Sequence, residues 1–270
     1  MKSLLRYPGG KTRALKHIIP YFPKDLTEMV SPFFGGGSIE IHYAAQGARV
    51  HGYDSFEPLV NFWQYVLNDP EQTAYLLETL FHPCSKEMFM NYQKKQNWTH
   101  MDDTHLLWKE FRACMFYALN RASFSGATMS GGYSRQAASD RFTQSSIDRL
   151  KNFLCPTLTV EQADFKDSLG RHDDETFIYA DPPYHVEKPV LYGDRGSTHK
   201  GFDHHGFAEE IKKKNNWVIS YNPNPTILEL YKDYEIVYPE WAYGMSADKK
   251  SKEILILNVK ESEDALLIDD

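Results

Sequence analysis

The chain of 270 residues has three cysteines, Cys84, Cys114 and Cys155, far apart and without a CxxC pair. That scarcity excludes a disulfide framework and a zinc cluster, so no metal is expected, and it suits a reducing cytoplasm. Long apolar runs are missing too. No stretch approaches the roughly 18 consecutive apolar residues of a membrane span. The basic residues of Met1–Pro20 are spread out rather than followed by an apolar run, so no secretory leader is expected. Neither the GxGxxG spacing of dinucleotide sites nor the GxxxxGK phosphate loop occurs. Internal repeats and a linker of the disordered type are also absent.

What is there is an ordinary globular composition, 41% hydrophobic and 25% charged, long enough to bury a large core. The net charge of −7 would speak against a nucleic acid partner if it were evenly spread. It is not. Residues 1–24 hold Lys2, Arg6, Lys11, Arg13, Lys16 and Lys24 and no acid, a local +6. Residues 109–151 carry +4 through Lys109, Arg112, Arg121, Arg135, Arg141, Arg149 and Lys151 against three acids, while residues 260–270 carry −4. A phosphate backbone responds to the local field of a docking face, so the two basic segments are candidate DNA-facing surfaces.

Apolar β-rich runs predict strands at Glu28–Phe33, Arg49–Asp54, Leu158–Phe165, Thr176–Ala180, Trp217–Asn222, Glu235–Tyr238 and Glu253–Lys260. Ser38–Gln46 reads as a helix ending at Gly47, which makes the first β-α-β unit of a parallel α/β sheet. Between Glu57 and Leu150 helical patterns dominate, at Leu59–Leu67, Glu71–Leu80 and Leu106–Asn120. The Ser/Gly-rich stretch Ser123–Ser139 is long for a structureless loop, and a hairpin or a loop that orders on nucleic acid is expected there. The aromatic stretch Phe56–Tyr65 reads as helix core, His204-His205 as a helix start and Asp173-Asp174-Glu175 as a turn before a strand.

Two motifs carry chemistry. Pro32–Ser38 (PFFGGGS) follows a strand and opens a helix, and its glycines let a ligand approach the backbone. Asp54 ends the next strand, where a carboxylate can accept hydrogen bonds from both ribose hydroxyls. This order points to an adenosine-type ligand without separating a dinucleotide from S-adenosyl-L-methionine. Asp181-Pro182-Pro183-Tyr184 directly follows the strand TFIYA. The prolines remove two N–H donors and leave the Asp181 and Pro182 carbonyls free, so a carboxylate and a carbonyl can accept from one exocyclic NH2. Tyr184 offers a flat face for a base, worth on the order of 1–3 kcal/mol.

With these motifs in this order, the sequence resembles the Dam-type (D12 class) DNA adenine-N6 methyltransferases along nearly its whole length. Arg6–Lys11 (RYPGGK) is similar to the family's N-terminal motif, Pro32–Ser38 to its cofactor loop, and Asp54 to its ribose-binding acid. Tyr117–Gly126 (YALNRASFSG) resembles the segment that introduces its DNA-contacting hairpin, Ala163–Phe165 the residues that hold the cofactor adenine, and Asp181–Tyr184 its catalytic motif. Ser220–Asn222 and Lys249–Leu257 resemble its later strand and final hairpin.

The resemblance implies a Rossmann-like methyltransferase sheet, discontinuous over 1–56 and 151–270, with a mainly helical target-recognition insertion at 57–150 and a hairpin-like loop at 121–139. It implies catalysis by Asp181, Pro182 and Tyr184. S-adenosyl-L-methionine would be bound by Tyr7, Lys11, Phe34, Gly35, Gly37, Ser38, Asp54, Asp164, Phe165 and Asp181. Double-stranded DNA would be bound by Arg6, Asn120, Arg121, Ser125 and Arg135; for Arg121 a structural ion-pair role is the equal alternative. A cognate restriction endonuclease and the cytoplasm of a bacterial, phage or viral host cell follow as expected partner and place. Ser31 stands where the family often carries an acid, with Glu40, two residues beyond the GGGS run, as a partial replacement. Cytosine-N4 methylation, protein-glutamine methylation and a catalytically silent, cofactor-binding DNA regulator are the alternatives. The intact DPPY disfavours the last.

Overall fold

The computed structural model describes residues 1–96, 106–184, 201–239 and 253–259. All seven expected strands form, β2 with the expected bounds and the other six a little shorter than their apolar runs. They are β1 (Glu28–Ser31), β2 (Arg49–Asp54), β3 (Leu158–Gln162), β4 (Phe177–Ala180), β5 (Trp217–Tyr221), β6 (Glu235–Val237) and β7 (Ile254–Asn258). They make one sheet in the order β3-β2-β1-β4-β5-β7-β6. β1 to β5 pair in parallel, and β7 runs antiparallel between β5 and β6. The chain moves outward from β1 through β2 to β3 and then returns to β4, so the order reverses between β1 and β4. Open α/β sheets place their ligand crevice at the carboxyl ends of the strands flanking such a reversal. PFFGGGS follows β1 and DPPY follows β4.

Every second residue of a strand faces the same side, and the two sides build two cores. Met29, Phe177, Tyr179, Val218 and Leu255 face one core, and Val30, Ile178, Ala180, Ile219, Ile254 and Ile256 face the other. Helices cover both sides, which is why these strands read as continuous apolar runs. In chain order the helices are α1 (Leu15–Ile18), α2 (Ser38–Ala44), α3 (Glu57–Asn68), α4 (Pro70–Leu76), α5 (Lys86–Gln96), α6 (Leu106–Ala122), α7 (Arg135–Arg141), α8 (Gln144–Lys151), α9 (Phe165–Gly170), α10 (His204–Ile211) and α11 (Pro225–Leu230). Side chains from α2 to α6 and α8 fill the first core; those of α9, α10 and α11 fill the second. Phe62 and Trp63 of α3 are fully buried, and Phe62 stacks on Tyr117 of α6, so the Phe56–Tyr65 stretch is helix core as expected.

Helix starts follow local chemistry. Asp69, Ser134, Thr143, Asp164, Asp203 and Asn224 cap α4, α7, α8, α9, α10 and α11, each side chain accepting from a backbone N–H two or three residues on. His204 therefore opens α10, as read from sequence. Asp173 Oδ1 accepts from the N–H groups of Glu175 and Thr176, which is the expected turn before β4.

The Ser/Gly-rich stretch departs from expectation. A single antiparallel bridge, Ser123 to Tyr133, is all that is hairpin-like. Inside it Phe124–Gly126 forms a 3-10 turn with Ser125 at φ +53°, and from Arg135 the chain is helical. Ser134 caps that helix and Ala137 is buried beneath it, which fixes a segment that composition alone describes as loop. The acidic 260–270 segment and residues 249–252 of the expected final hairpin lie outside the described residues.

Candidate active site

A cavity of about 410 Å³ lies at the β1/β4 reversal, lined by Tyr7–Lys11, the whole Pro32–Glu40 loop, Asp54, Ala163–Phe165, Asp181–Tyr184 and Gly201–Asp203. The N-terminal motif, the glycine loop, the two expected adenosine-binding acids and DPPY therefore meet in one place.

The loop is tied down from several sides. Its turn requires Gly37 at φ +64°, and an added Cβ there would sit 2.5 Å from the Phe34 ring. That ring is buried beneath the loop and meets Trp63 edge-on, so Phe34 supports the cavity wall from behind. Tyr7 lies over Gly35 and Gly36, and Ser38 Oγ bonds Thr12 Oγ1 at 3.0 Å. Asp54 accepts from Gly35 N–H through Oδ2 at 3.0 Å and from Phe56 N–H through Oδ1 at 2.9 Å. Burial pushes the Asp54 carboxyl upward despite those bonds. Asp164 lines the cavity and spends Oδ1 on Asp167 N–H, capping α9. Phe165 belongs to an aromatic cluster with Phe33, Phe202 and Phe207, of which the first two also line the cavity. Nothing local in the sequence marks Phe33 and Phe202, because their meeting requires the tertiary fold.

At the other end, Lys11 is buried and donates to Asp181 Oδ2 at 2.8 Å, Tyr184 Oη at 2.9 Å and the Gly9 carbonyl at 3.1 Å. Glu253, entering β7, lies 3.5 Å from the same ammonium. Burial works to lower the Lys11 pKa, but the two carboxylates outweigh it, so Lys11 stays charged. Burial raises the Asp181 carboxyl against the pull of Lys11, and Glu253 adds to the rise. Asp181 Oδ2 is spent on Lys11, whereas Asp181 Oδ1 is buried and has no hydrogen-bond partner among the described residues. Pro182 beside it is buried. An orphaned carboxylate oxygen beside a donor-free Pro-Pro backbone is a place built to accept hydrogen bonds from a ligand. Tyr184 packs on Tyr221, ring centroids 6.1 Å apart. Glu253 escaped the sequence reading because it meets Lys11 from the opposite end of the chain.

The expected DNA-contacting residues gather around the end of α6. Arg6, Ser125 and Arg135 are exposed. Asn120 is fully buried: its Oδ1 accepts from Arg6 N–H, and its Nδ2 donates to the Arg6 carbonyl, the Gly126 carbonyl and Thr128 Oγ1. Its geometry is that of a clamp between the N-terminal motif and the 3-10 turn. Arg121 is mostly buried, with Nε donating to the Arg141 carbonyl at 2.8 Å. Burial, followed by the charges of Arg149, Arg141 and Arg6, lowers its pKa against Tyr117. Arg6, Arg141 and Arg149 thus cluster around Arg121. Two basic residues leave the tally of surface charge: Lys11 is the buried residue above, and Arg112 is buried in an ion pair with Glu57.

No group of metal-ligating side chains occurs among the described residues, and no helix there is long and apolar enough to cross a membrane. The profile of D12 class N6 adenine-specific DNA methyltransferases matches residues 7–245. The type II methyltransferase M1.LlaDCHI of Lactococcus lactis subsp. cremoris is 25% identical over 96% of this chain and 95% of its own length. The type II methyltransferase M.CviBI of Paramecium bursaria Chlorella virus NC1A is 24% identical over 87% and 88%. A DNA adenine methylase of Vibrio cholerae is 25% identical over 68% of this chain and 65% of its own. With the sheet order, the glycine loop after β1 and DPPY after β4, this match establishes that the chain belongs to the D12 class of N6 adenine-specific DNA methyltransferases.

Proposed function

We propose that this chain is a site-specific DNA methyltransferase, EC 2.1.1.72, that takes the methyl group from S-adenosyl-L-methionine and places it on adenine N6 in double-stranded DNA. The observation that carries the reading is Asp181 Oδ1, buried at the carboxyl end of β4 without a hydrogen-bond partner among the described residues. S-adenosyl-L-methionine, when bound, supplies an activated methyl group. Its nucleoside part fits the Asp54–Asp164–Phe165 end of the cavity, with Tyr7, Phe34, Gly35, Gly37 and Ser38 forming the wall and Lys11 and Asp181 the far end.

Adenine N6 is buried in a paired duplex, so the target nucleotide must leave the stack. Asp181 Oδ1 and the Pro182 carbonyl accept from the extruded amino group. Those bonds favour a pyramidal nitrogen whose lone pair is withdrawn from the ring, and the site then needs in-line positioning more than a strong base. Lys11 fixes the Asp181 rotamer through Oδ2 and leaves Oδ1 for the base. The same carboxylate, made more basic by burial, is placed to take the N6 proton. The Tyr184 ring supplies the stacking face.

Residues 57–150 serve as the target-recognition insertion. Arg6 and Arg135 meet the DNA, with Ser125 at the turn; Arg121, bonded to the Arg141 carbonyl, serves structurally, and Asn120 holds Arg6 and that turn together. The reaction belongs in the cytoplasm, with a cognate endonuclease as partner. Asp181→Asn is the sharpest test of the site. It keeps the shape but gives the amino group a weaker acceptor, and single-turnover transfer should fall by about 10²–10⁴-fold with DNA binding retained. Transfer near the wild-type rate contradicts the assignment.

A further inference from the structure

The proposed reaction leaves two acids of the cavity wall unused, Asp203, whose Oδ1 caps α10, and Glu40. Glu40 sits in the first turn of α2, is 3% exposed, and lines the cavity. Ser31 Oγ, at the end of β1, donates to Glu40 Oε1 at 2.8 Å. The N–H groups of Ile39 and Glu40 also donate to the carboxylate, and Asp181 and Tyr179 are the other titratable groups near it. Among the described residues no lysine, arginine or histidine forms an ion pair with Glu40.

Burying a carboxylate without a cation is costly, and proteins pair such groups or neutralise them. Here burial, reinforced by Asp181, pushes the Glu40 carboxyl up to about 7 in spite of the three donors. The donors fix the direction of the group but supply no charge. No cation neighbours Glu40 among the described residues, and its open side is the cavity. Asp54 and Asp164 mark the nucleoside end, so the Glu40 end faces the amino-acid end of the same ligand. That end carries an ammonium, which donates hydrogen bonds, beside a sulfonium, which has no N–H or O–H to donate.

We infer that Glu40, held by Ser31, receives the α-ammonium of the S-adenosyl-L-methionine amino acid. This rests on the cofactor reading above. The Ser31–Glu40 pair moves the carboxylate from the end of β1 to the first turn of α2 while keeping it bonded to that strand end.

The test is calorimetric binding of S-adenosyl-L-homocysteine and of its analogue with hydrogen in place of the α-amine, at pH 8. One charge-assisted bond corresponds to roughly a 10–100-fold difference in affinity. The wild-type protein should bind the amine by that factor more tightly than the deamino analogue. In Glu40→Gln the two ligands should bind within about threefold of each other. Ser31→Ala, which loosens the carboxylate without removing it, should narrow the preference and provides a milder variant if Glu40→Gln does not fold. An undiminished preference in either folded variant overturns the inference, as does equal binding of the two ligands by wild type. Equal weakening of both ligands in Glu40→Gln shows a structural role and overturns it too. If wild type binds neither ligand, the cofactor reading itself falls, a distinct outcome.

Discussion

Lys11 is the residue on which most of the site converges, since it joins the N-terminal motif to DPPY and to β7. Removing it takes from the buried Asp181 carboxylate the ammonium bonded to Oδ2 and leaves the like charge of Glu253 nearby. Lys11→Met should therefore destabilise the protein by about 3–5 kcal/mol, read by urea unfolding at pH 8, with the loss shrinking in acid as the carboxylates protonate. A pH-independent loss would mean that Lys11 acts by packing alone. Glu40 gives the opposite pH signature. Its folded pKa is raised, so the proton it holds stabilises the ligand-free protein below the unfolded value of 4.5, and that contribution is lost as pH rises through about 7. Above pH 7 the cost approaches roughly 3 kcal/mol. Glu40→Gln should thus raise the ligand-free Tm at pH 8 and converge with wild type near pH 5. A constant difference across that range contradicts the charged-state argument. Asp54, Asp181 and Tyr184 could be read from sequence because each lies inside a short motif beside a strand. Glu253 could not, because only folding brings β7 beside Lys11.

At the scale of elements, local pattern was informative wherever a strand or helix buries a regular face. The seven strands alternate between two cores, and α3 carries Leu59, Phe62, Trp63 and Val66 inward. Helix α7 has no such face; its evidence is one cap and one buried alanine, so composition pointed to loop. The turn before it depends on Gly126, at φ +76°, where an added Cβ would lie 2.1 Å from the Arg6 carbonyl oxygen. Gly126→Ala must push the N-terminal motif off the end of α6. Because Tyr7 and Lys11 follow Arg6, the substitution should weaken S-adenosyl-L-homocysteine and DNA binding together. Loss of one without the other would show that the two surfaces are not joined through Asn120. Arg135, at the start of α7, is exposed and tests the interface directly. Arg135→Ala should reduce the slope of log K against log salt by about 1, and an unchanged slope places α7 outside the interface.

For the whole molecule, a net charge of −7 coexists with a DNA substrate because charge is segregated. Arg6, Arg141 and Arg149 lie near one another around Arg121 at the end of α6, while Lys11 and Arg112 are neutralised inside. The reversal of strand order between β1 and β4 then sets both halves of the reaction in one crevice. One measurement tests that account most directly. The protein is incubated with methyl-labelled S-adenosyl-L-methionine and mixed-sequence double-stranded DNA, and the DNA is digested to nucleosides. The account predicts label in N6-methyl-2′-deoxyadenosine alone, lost in Asp181→Ala. Label in N4-methylcytosine or in protein, or cofactor binding without any transfer, would contradict it.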